Sequence, residues 1–300
     1  MSPRRVLITG GGGQLASDLV EQLGGSAEVT ARSRAELDIT DDAAVAAAFE
    51  EVGPDVVFNC AAFHNVEVCE TEEDRASEVN VRAVKRLAER STEGGAKFVH
   101  LSTNYVFDGT APDPYTEDDL PSPRSVYAFT KLGGEYAALA YAPDALVART
   151  AGLYGLHGSA SKGGNFVTRM CARAREQGAL KMVSDQRLSP TFTADLAAAL
   201  IEGVERGAGG ITHLTAGGEC SWFEFTEAIM ELAGIEVPIE PVETTRPPGG
   251  ADRPLNGVLA RDRTDSLGLT PLRHWRDGLA EYMRLAGLTP AAERAGTLEE

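Results

Sequence analysis

The chain has 300 residues, 43% of them hydrophobic, and a formal net charge of -17. That length buries a large core in one or two domains, and the acidic balance repels nucleic acid and anionic membrane surfaces, so neither is an expected partner. No apolar run approaches the ~20 residues of a membrane span, no signal-peptide pattern opens the chain, and the four cysteines form no Cys-x-x-Cys pair, so a cytoplasmic protein without a metal is expected.

In chain order, Arg5–Thr9 reads as a buried strand and Gln14–Leu23 as the helix that follows. Glu28–Ala31 is a short second strand, and Thr40 can cap a helix over Asp41–Val52 with acids in its first turn. Asp55–Asn59 is a third strand, Glu73–Arg90 one long helix stopped by Gly94 and Gly95, and Lys97–Leu101 a fourth strand. Val126–Leu139 reads as helix and Ala145–Arg149 as a fifth strand. Strands alternating with helices predict an α/β fold, a Rossmann-type doubly wound parallel sheet.

The second half is less regular. Gly155–Gly164 is a glycine-rich loop; Phe166–Gln177, Ala194–Gly203, Trp222–Ala233 and Trp275–Leu285 read as helices. Glu240–Pro254 contains no clear element, and Ala291–Glu300 reads as a frayed tail. The expected division is a cofactor-binding domain over 1–150, also taking in about 183–215, and a smaller α/β substrate lobe over 151–182 and 216–300.

Thr9 is followed by four glycines, Gln14, Leu15 and Ala16. Read as Gly-x-x-Gly-x-x-Ala, with Gly10, Gly13 and Ala16, this strand–turn–helix segment suits the close approach of a pyrophosphate to free N–H groups at a helix start. The second strand ends in Thr30-Ala31-Arg32-Ser33-Arg34, without the acid that holds a ribose 2′-hydroxyl. Arg32 and Arg34 can instead pair with a 2′-phosphate, which favours NADPH, with NADH as the alternative. Asp38, next to Ile39, either accepts from adenine or caps a helix; Ala61 and Ala62 leave room for cofactor at a strand end.

Tyr127 and Lys131 are four apart, so they share one helix face. A tyrosine with its pKa near ~10 is a sluggish acid, and a neighbouring ammonium stabilises the phenolate and lowers that value. Thr103, at the end of the preceding strand, can bind the same carbonyl oxygen. Histidines 64, 100, 157, 213 and 274 are scattered without metal spacing and read as core or surface residues.

These residues carry a resemblance. LITGGGGQLA, PDVVFNCAAF, STNYVFDGTAPDPYTEDD, SVYAFTK, SDQRLSPTFTADLA and RPLNGVL span nearly the whole chain. Together they resemble the dTDP-4-dehydrorhamnose reductases, extended short-chain dehydrogenases/reductases that reduce a nucleotide-linked 4-keto sugar with NADPH. The resemblance implies catalytic Thr103, Tyr127 and Lys131. It implies that Gly10, Gly13, Gln14, Leu15, Asp38, Ile39, Ala61, Ala62 and Ser102 line the cofactor, and that Thr103, Asn104, Asn165, Phe166, Gln186 and Arg253 face a nucleotide-diphospho-sugar. A homodimer is compatible with it.

The chain departs from the family pattern at four places. Asn104 stands where the family mostly has Asp, Val66-Glu67-Val68-Cys69-Glu70 lacks a lysine, Ala151-Gly152 stands where the family often has Ser-Trp, and the loop Gly155–Gly164 is long. All four bear on the substrate. Two other activities share the pattern: an epimerase or dehydratase that retains NAD, and a silent regulatory subunit resembling that of methionine adenosyltransferase.

Overall fold

The computed structural model describes residues 4–157, 164–246 and 249–290. The tail read at 291–300 and most of the loop read over Gly155–Gly164 lie outside them. The first half runs β1 (Arg4–Thr9), α1 (Gln14–Leu23), β2 (Ala27–Arg32), α2 (Asp42–Val52), β3 (Val56–Asn59), α3 (Val66–Cys69) and α4 (Glu73–Ser77). A π-helical turn (Glu78–Arg82) leads into α5 (Ala83–Glu93), β4 (Lys97–Thr103), a 3-10 turn (Asn104–Val106), α6 (Val126–Tyr141) and β5 (Leu146–Thr150). There follow α7 (Phe166–Gln177), β6 (Leu180–Val183), β7 (Arg187–Leu188), α8 (Thr193–Glu205), β8 (Gly210–His213), β9 (Cys220–Ser221) and α9 (Trp222–Ala233). The chain ends through β10 (Ile239–Val242), α10 (Asp262–Ser266) and α11 (Trp275–Leu285).

Six strands form one parallel sheet in the order β2-β1-β3-β4-β5-β8. Their continuous apolar runs have the composition of strands covered on both faces: Val6, Leu7, Ile8, Val57, Phe58, Phe98 and Val99 are buried. One face packs on α1 and α8 and the other on α2, α5 and α6. From β1 the chain builds outward to β2, then crosses to β3 on the other side. That reversal opens a crevice at the carboxyl ends of β1 and β3, where open α/β sheets bind ligands.

A second core gathers Tyr154, Phe192, Phe225, Trp275 and Tyr282 among α7, α9 and α11. Two short sheets, β10-β6 and β7-β9, border it. Strand β10 corrects the expectation of no element over Glu240–Pro254. Asp41, not Thr40, caps α2, accepting from the N–H groups of Ala43 (2.9 Å) and Ala44 (3.1 Å). Thr40 is taken instead by the Asp38 carboxylate, which accepts from its hydroxyl at 2.7 Å and its N–H at 3.0 Å. The long helix expected over Glu73–Arg90 carries the π-helical turn, a local widening that recurs at functional sites.

Candidate active site

The glycine turn stands at the reversal point. Gly10 has φ +73°, and a Cβ there would lie 2.8 Å from the Ala61 nitrogen, so the turn touches the end of β3 closely enough to require glycine. Gly13 is the N-cap of α1 and brings no side-chain cap, which leaves the first N–H groups of that helix for an anion. Leu15, in the first turn of α1, and Ile39, between β2 and α2, are both buried. The Gln14 carboxamide accepts from the Gly155 N–H at 2.8 Å and so ties the turn to the chain leaving β5.

At the end of β2, Arg32 pairs with Glu51 at 2.6 Å and Arg34 with Asp38 at 3.8 Å. The Thr40 hydrogen bonds hold the Asp38 carboxyl below its ordinary range, with the Arg34 and Arg75 charges adding to them. A cavity of about 580 Å³ opens here, lined in part by Arg34, Thr40, Arg75 and Arg82.

Strand β4 delivers Ser102 and Thr103 to the same edge. The Thr103 hydroxyl caps the 3-10 turn by accepting from the Tyr105 N–H at 3.2 Å. Ser125 caps α6, accepting from the Ala128 N–H at 3.2 Å, while Glu70 accepts from the Val126 N–H at 2.8 Å. These two anchors place Tyr127 in the first turn of α6, with its ring edge-on to Tyr105 at 5.8 Å. Burial pushes the Tyr127 phenol well above its ordinary pKa, and a hydrogen bond from Thr103 opposes that rise.

This differs from the expected lowering by Lys131. The ammonium turns to β4 instead, donating to the Leu101 carbonyl at 2.6 Å and lying 3.4 Å from His100 Nε2. Burial lowers Lys131 to about 8, against the raising effect of Glu135 and Cys60. Cys60 is itself pushed up to about 12 by burial, so its thiol stays neutral.

The sequence reading missed four buried polar residues around this pair. Asn80, in the π-helical turn, donates to the Thr130 hydroxyl (3.1 Å) and the Phe63 carbonyl (3.0 Å) and accepts from the Phe63 N–H (2.9 Å), tying the segment after β3 to α6. Gly134 admits that turn: a Cβ there would stand 2.4 Å from the Asn80 carbonyl. Glu135, one turn beyond Lys131, takes both the Nε (2.9 Å) and Nη2 (2.7 Å) of Arg149 and the hydroxyl of Ser102. His100 is held neutral by burial and the Lys131 charge. The i, i+4 spacing of Lys131 and Glu135 was the one available signal.

The residues expected to face a sugar are spread more widely. Asn104 donates to the Gly257 carbonyl at 2.9 Å. Asn165 caps α7 and donates to the Gly155 carbonyl and the Tyr282 hydroxyl, both at 2.8 Å. Phe166 leans on Trp222 with centroids 4.5 Å apart. Gln186 donates to the Thr244 hydroxyl at 2.9 Å, and Arg253 pairs with Glu67 at 2.6 Å. A side chain at position 152 would be strained: Gly152 has φ +56°, and a Cβ there would lie 2.8 Å from the tip of Leu188 and 3.2 Å from the Pro190 backbone. His157, read as isolated, converges with Asp18 and Glu21, their ligand atoms within 4.8 Å of one another. Among the described residues no helix is long and apolar enough to cross a membrane.

The family model of the RmlD substrate binding domain matches residues 4–287. The spore coat polysaccharide biosynthesis protein SpsK of Bacillus subtilis is 40% identical, the match covering 93% of this chain and 97% of that protein. A dTDP-4-keto-6-deoxy-D-glucose reductase of Streptomyces niveus is 39% identical over 94% of this chain and 97% of its own length. The crystal structure of a dTDP-4-dehydrorhamnose reductase of Bacillus anthracis in complex with NADP is similar at a TM-score of 0.88 and 32% identity, covering 94% of this chain and 99% of that one.

Proposed function

The chain belongs to the dTDP-4-dehydrorhamnose reductase family, matching its RmlD substrate binding domain, and from that premise we propose that Tyr127, Thr103 and Lys131 reduce the 4-keto group of a dTDP-linked 6-deoxysugar with NADPH. It is an NAD(P)H-dependent oxidoreductase. The observation that carries the mechanism is the convergence of Thr103, at the end of β4, with Tyr127 and, one helical turn on, Lys131 of α6, at the sheet edge that also holds the glycine turn.

The residues present fit the dinucleotide. Gly10 and the uncapped start of α1 offer a cradle that a side chain would fill, and Arg34 with Arg75 and Arg82 lines a cavity suited to a 2′-phosphate. When bound, the nicotinamide supplies hydride to the carbonyl carbon. The chain's own groups supply the proton. Tyr127, held protonated by burial, donates to the developing alkoxide, and the Thr103 hydroxyl donates a hydrogen bond to the same oxygen. Lys131 then stabilises the phenolate left behind.

Residues 1–150 with about 183–215 serve as the cofactor domain, and 151–182 with 216–300 as the substrate lobe. Phe166, Gln186 and Arg253 approach the nucleotide sugar from that lobe, with Arg253 a bidentate partner for diphosphate once it leaves Glu67. With glycine at position 152, Phe166 and Trp222 supply the flat apolar wall nearest that role.

The test is a panel of dTDP-linked keto sugars assayed with NADPH and NADH. NADPH-dependent loss of the 4-keto group is expected. Purification with stoichiometric bound NAD and no net NADPH consumption points to an epimerase instead. Silence on every keto sugar points to a regulatory subunit.

A further inference from the structure

Three polar side chains stand side by side on adjacent inner strands of the sheet. Thr9, Asn59 and His100 are in-register partners on β1, β3 and β4, and none is more than 1% exposed. The Thr9 hydroxyl lies 2.7 Å from Asn59 Oδ1, Asn59 Nδ2 lies 3.1 Å from His100 Nδ1, and His100 Nε2 lies 3.4 Å from Lys131 Nζ. Buried polar groups are costly unless each is satisfied, so a row of three begins with a reason to be there. This row starts at the residue before the glycine turn and ends on the active-site lysine.

An ammonium has three donors and no acceptor. Lys131 places one on the Leu101 carbonyl. The only ring atom near a second is His100 Nε2, which can accept only if the ring proton sits on Nδ1. Nδ1–H then needs an acceptor, and the Asn59 amide provides one when its oxygen faces the ring and its nitrogen faces Thr9. Both contacts survive that half-turn of the amide.

We propose that His100 is the positioning residue of Lys131: its Nε2 accepts from the ammonium, the Asn59 carboxamide oxygen, turned to the ring, accepts from Nδ1–H, and the third donor is left to face the reacting centre. The inference rests on Lys131 acting as proposed above. The groups facing Lys131 are His100 and the Leu101 carbonyl from β4, Cys60 after β3, and Tyr127 and Glu135 from α6. Cys60 is neutral, so removing the His100 acceptor withdraws support from the ammonium and lowers its pKa.

Two substitutions separate the ring atoms. In His100→Gln the amide reaches the place of Nε2 and keeps the contact with Lys131. In His100→Asn it reaches only the place of Nδ1 and keeps Asn59 but loses Lys131. Both lose the stacking on Phe98, so a purely structural role affects both alike. The pH profile of kcat is measured for each, beside Lys131→Met.

His100→Gln is expected within about threefold of wild type, and His100→Asn about tenfold or more below it, in line with losing a hydrogen bond to a charged group. The alkaline fall in kcat moves to lower pH in His100→Asn alone. Equal profiles in the two variants overturn the inference while a dead Lys131→Met upholds the functional reading. Normal turnover in Lys131→Met overturns that reading itself. A measurement without any variant guards against misfolding: nitrogen NMR of labelled histidine in the whole protein at pH 7. A ring with Nε2 unprotonated is expected for His100, and an Nε2–H tautomer contradicts the proposal.

Discussion

Replacing Glu135 by glutamine leaves the shape of the buried cluster nearly unchanged and removes its only carboxylate charge. Glu135 and Arg149 each have side chains 1% exposed and share two short bonds, and Ser102 donates a third to the same carboxylate. Among the described residues Arg149 Nη1 has no hydrogen-bond partner, and beyond Glu135 the guanidinium rests only on the face of Phe107, 5.0 Å from the ring centre, which cannot replace an anion. Breaking such a pair from one side strands a buried charge at a cost of about 3–5 kcal/mol. Here two cations, Arg149 and Lys131, lose the same anion, which sets the expectation at the upper end. Urea unfolding followed by far-ultraviolet circular dichroism reads the loss as a lower midpoint at unchanged m. The double variant Glu135→Leu with Arg149→Met removes both charges together and is expected to be more stable than Glu135→Gln alone. A loss below about 1 kcal/mol for Glu135→Gln, the range of exposed pairs, refutes the reasoning.

Burial holds His213 down to about 3 and His100 well below 6.5, so the unfolded chain binds more protons than the folded one as pH falls below about 6.5. Stability is therefore full above that pH and falls below it by about 1.4 kcal/mol per unit for each histidine, before the carboxylates titrate. Urea midpoints from pH 7 to 5 check this, with His213→Gln removing about half the slope; a flat profile contradicts it. Arg34→Ala should raise KM for NADPH about tenfold through a lost charge-assisted bond and spare NADH. An equal effect on both cofactors removes the arginine from the 2′-phosphate. Gly10→Ala combines φ +73° with a 2.8 Å clash against the Ala61 backbone, and NADPH binding by titration should be lost; wild-type affinity there argues against the cradle.

The parallel sheet was legible because strands buried on both faces are written as short apolar runs between amphipathic helices. Strands β7 and β9 have two residues each, and β10 contains Pro241, so only their partners across the chain define them. The helix cap slipped by one residue because Thr40 and Asp41 are both capping types, and only the Asp38 carboxylate decides between them. Tyr127, Lys131 and Thr103 were readable from spacing and position. The direction of the Lys131 side chain was not: packing turns it to Leu101 and His100, and His100 and Asn59 sit inside runs that read as ordinary core strands. Arg149 was likewise hidden near the end of a strand: its partner Glu135 lies 14 residues back on α6, and only the fold brings the two together.

The central claim is that Tyr127 delivers the proton. The most direct measurement is single-turnover NADPH oxidation by Tyr127→Phe with a dTDP-linked 4-keto-6-deoxysugar, alongside NADPH binding to the same variant. The account predicts a fall of about 10²–10⁴-fold in rate, the usual worth of a general acid, with NADPH affinity close to wild type. Unchanged turnover in the phenylalanine variant contradicts it.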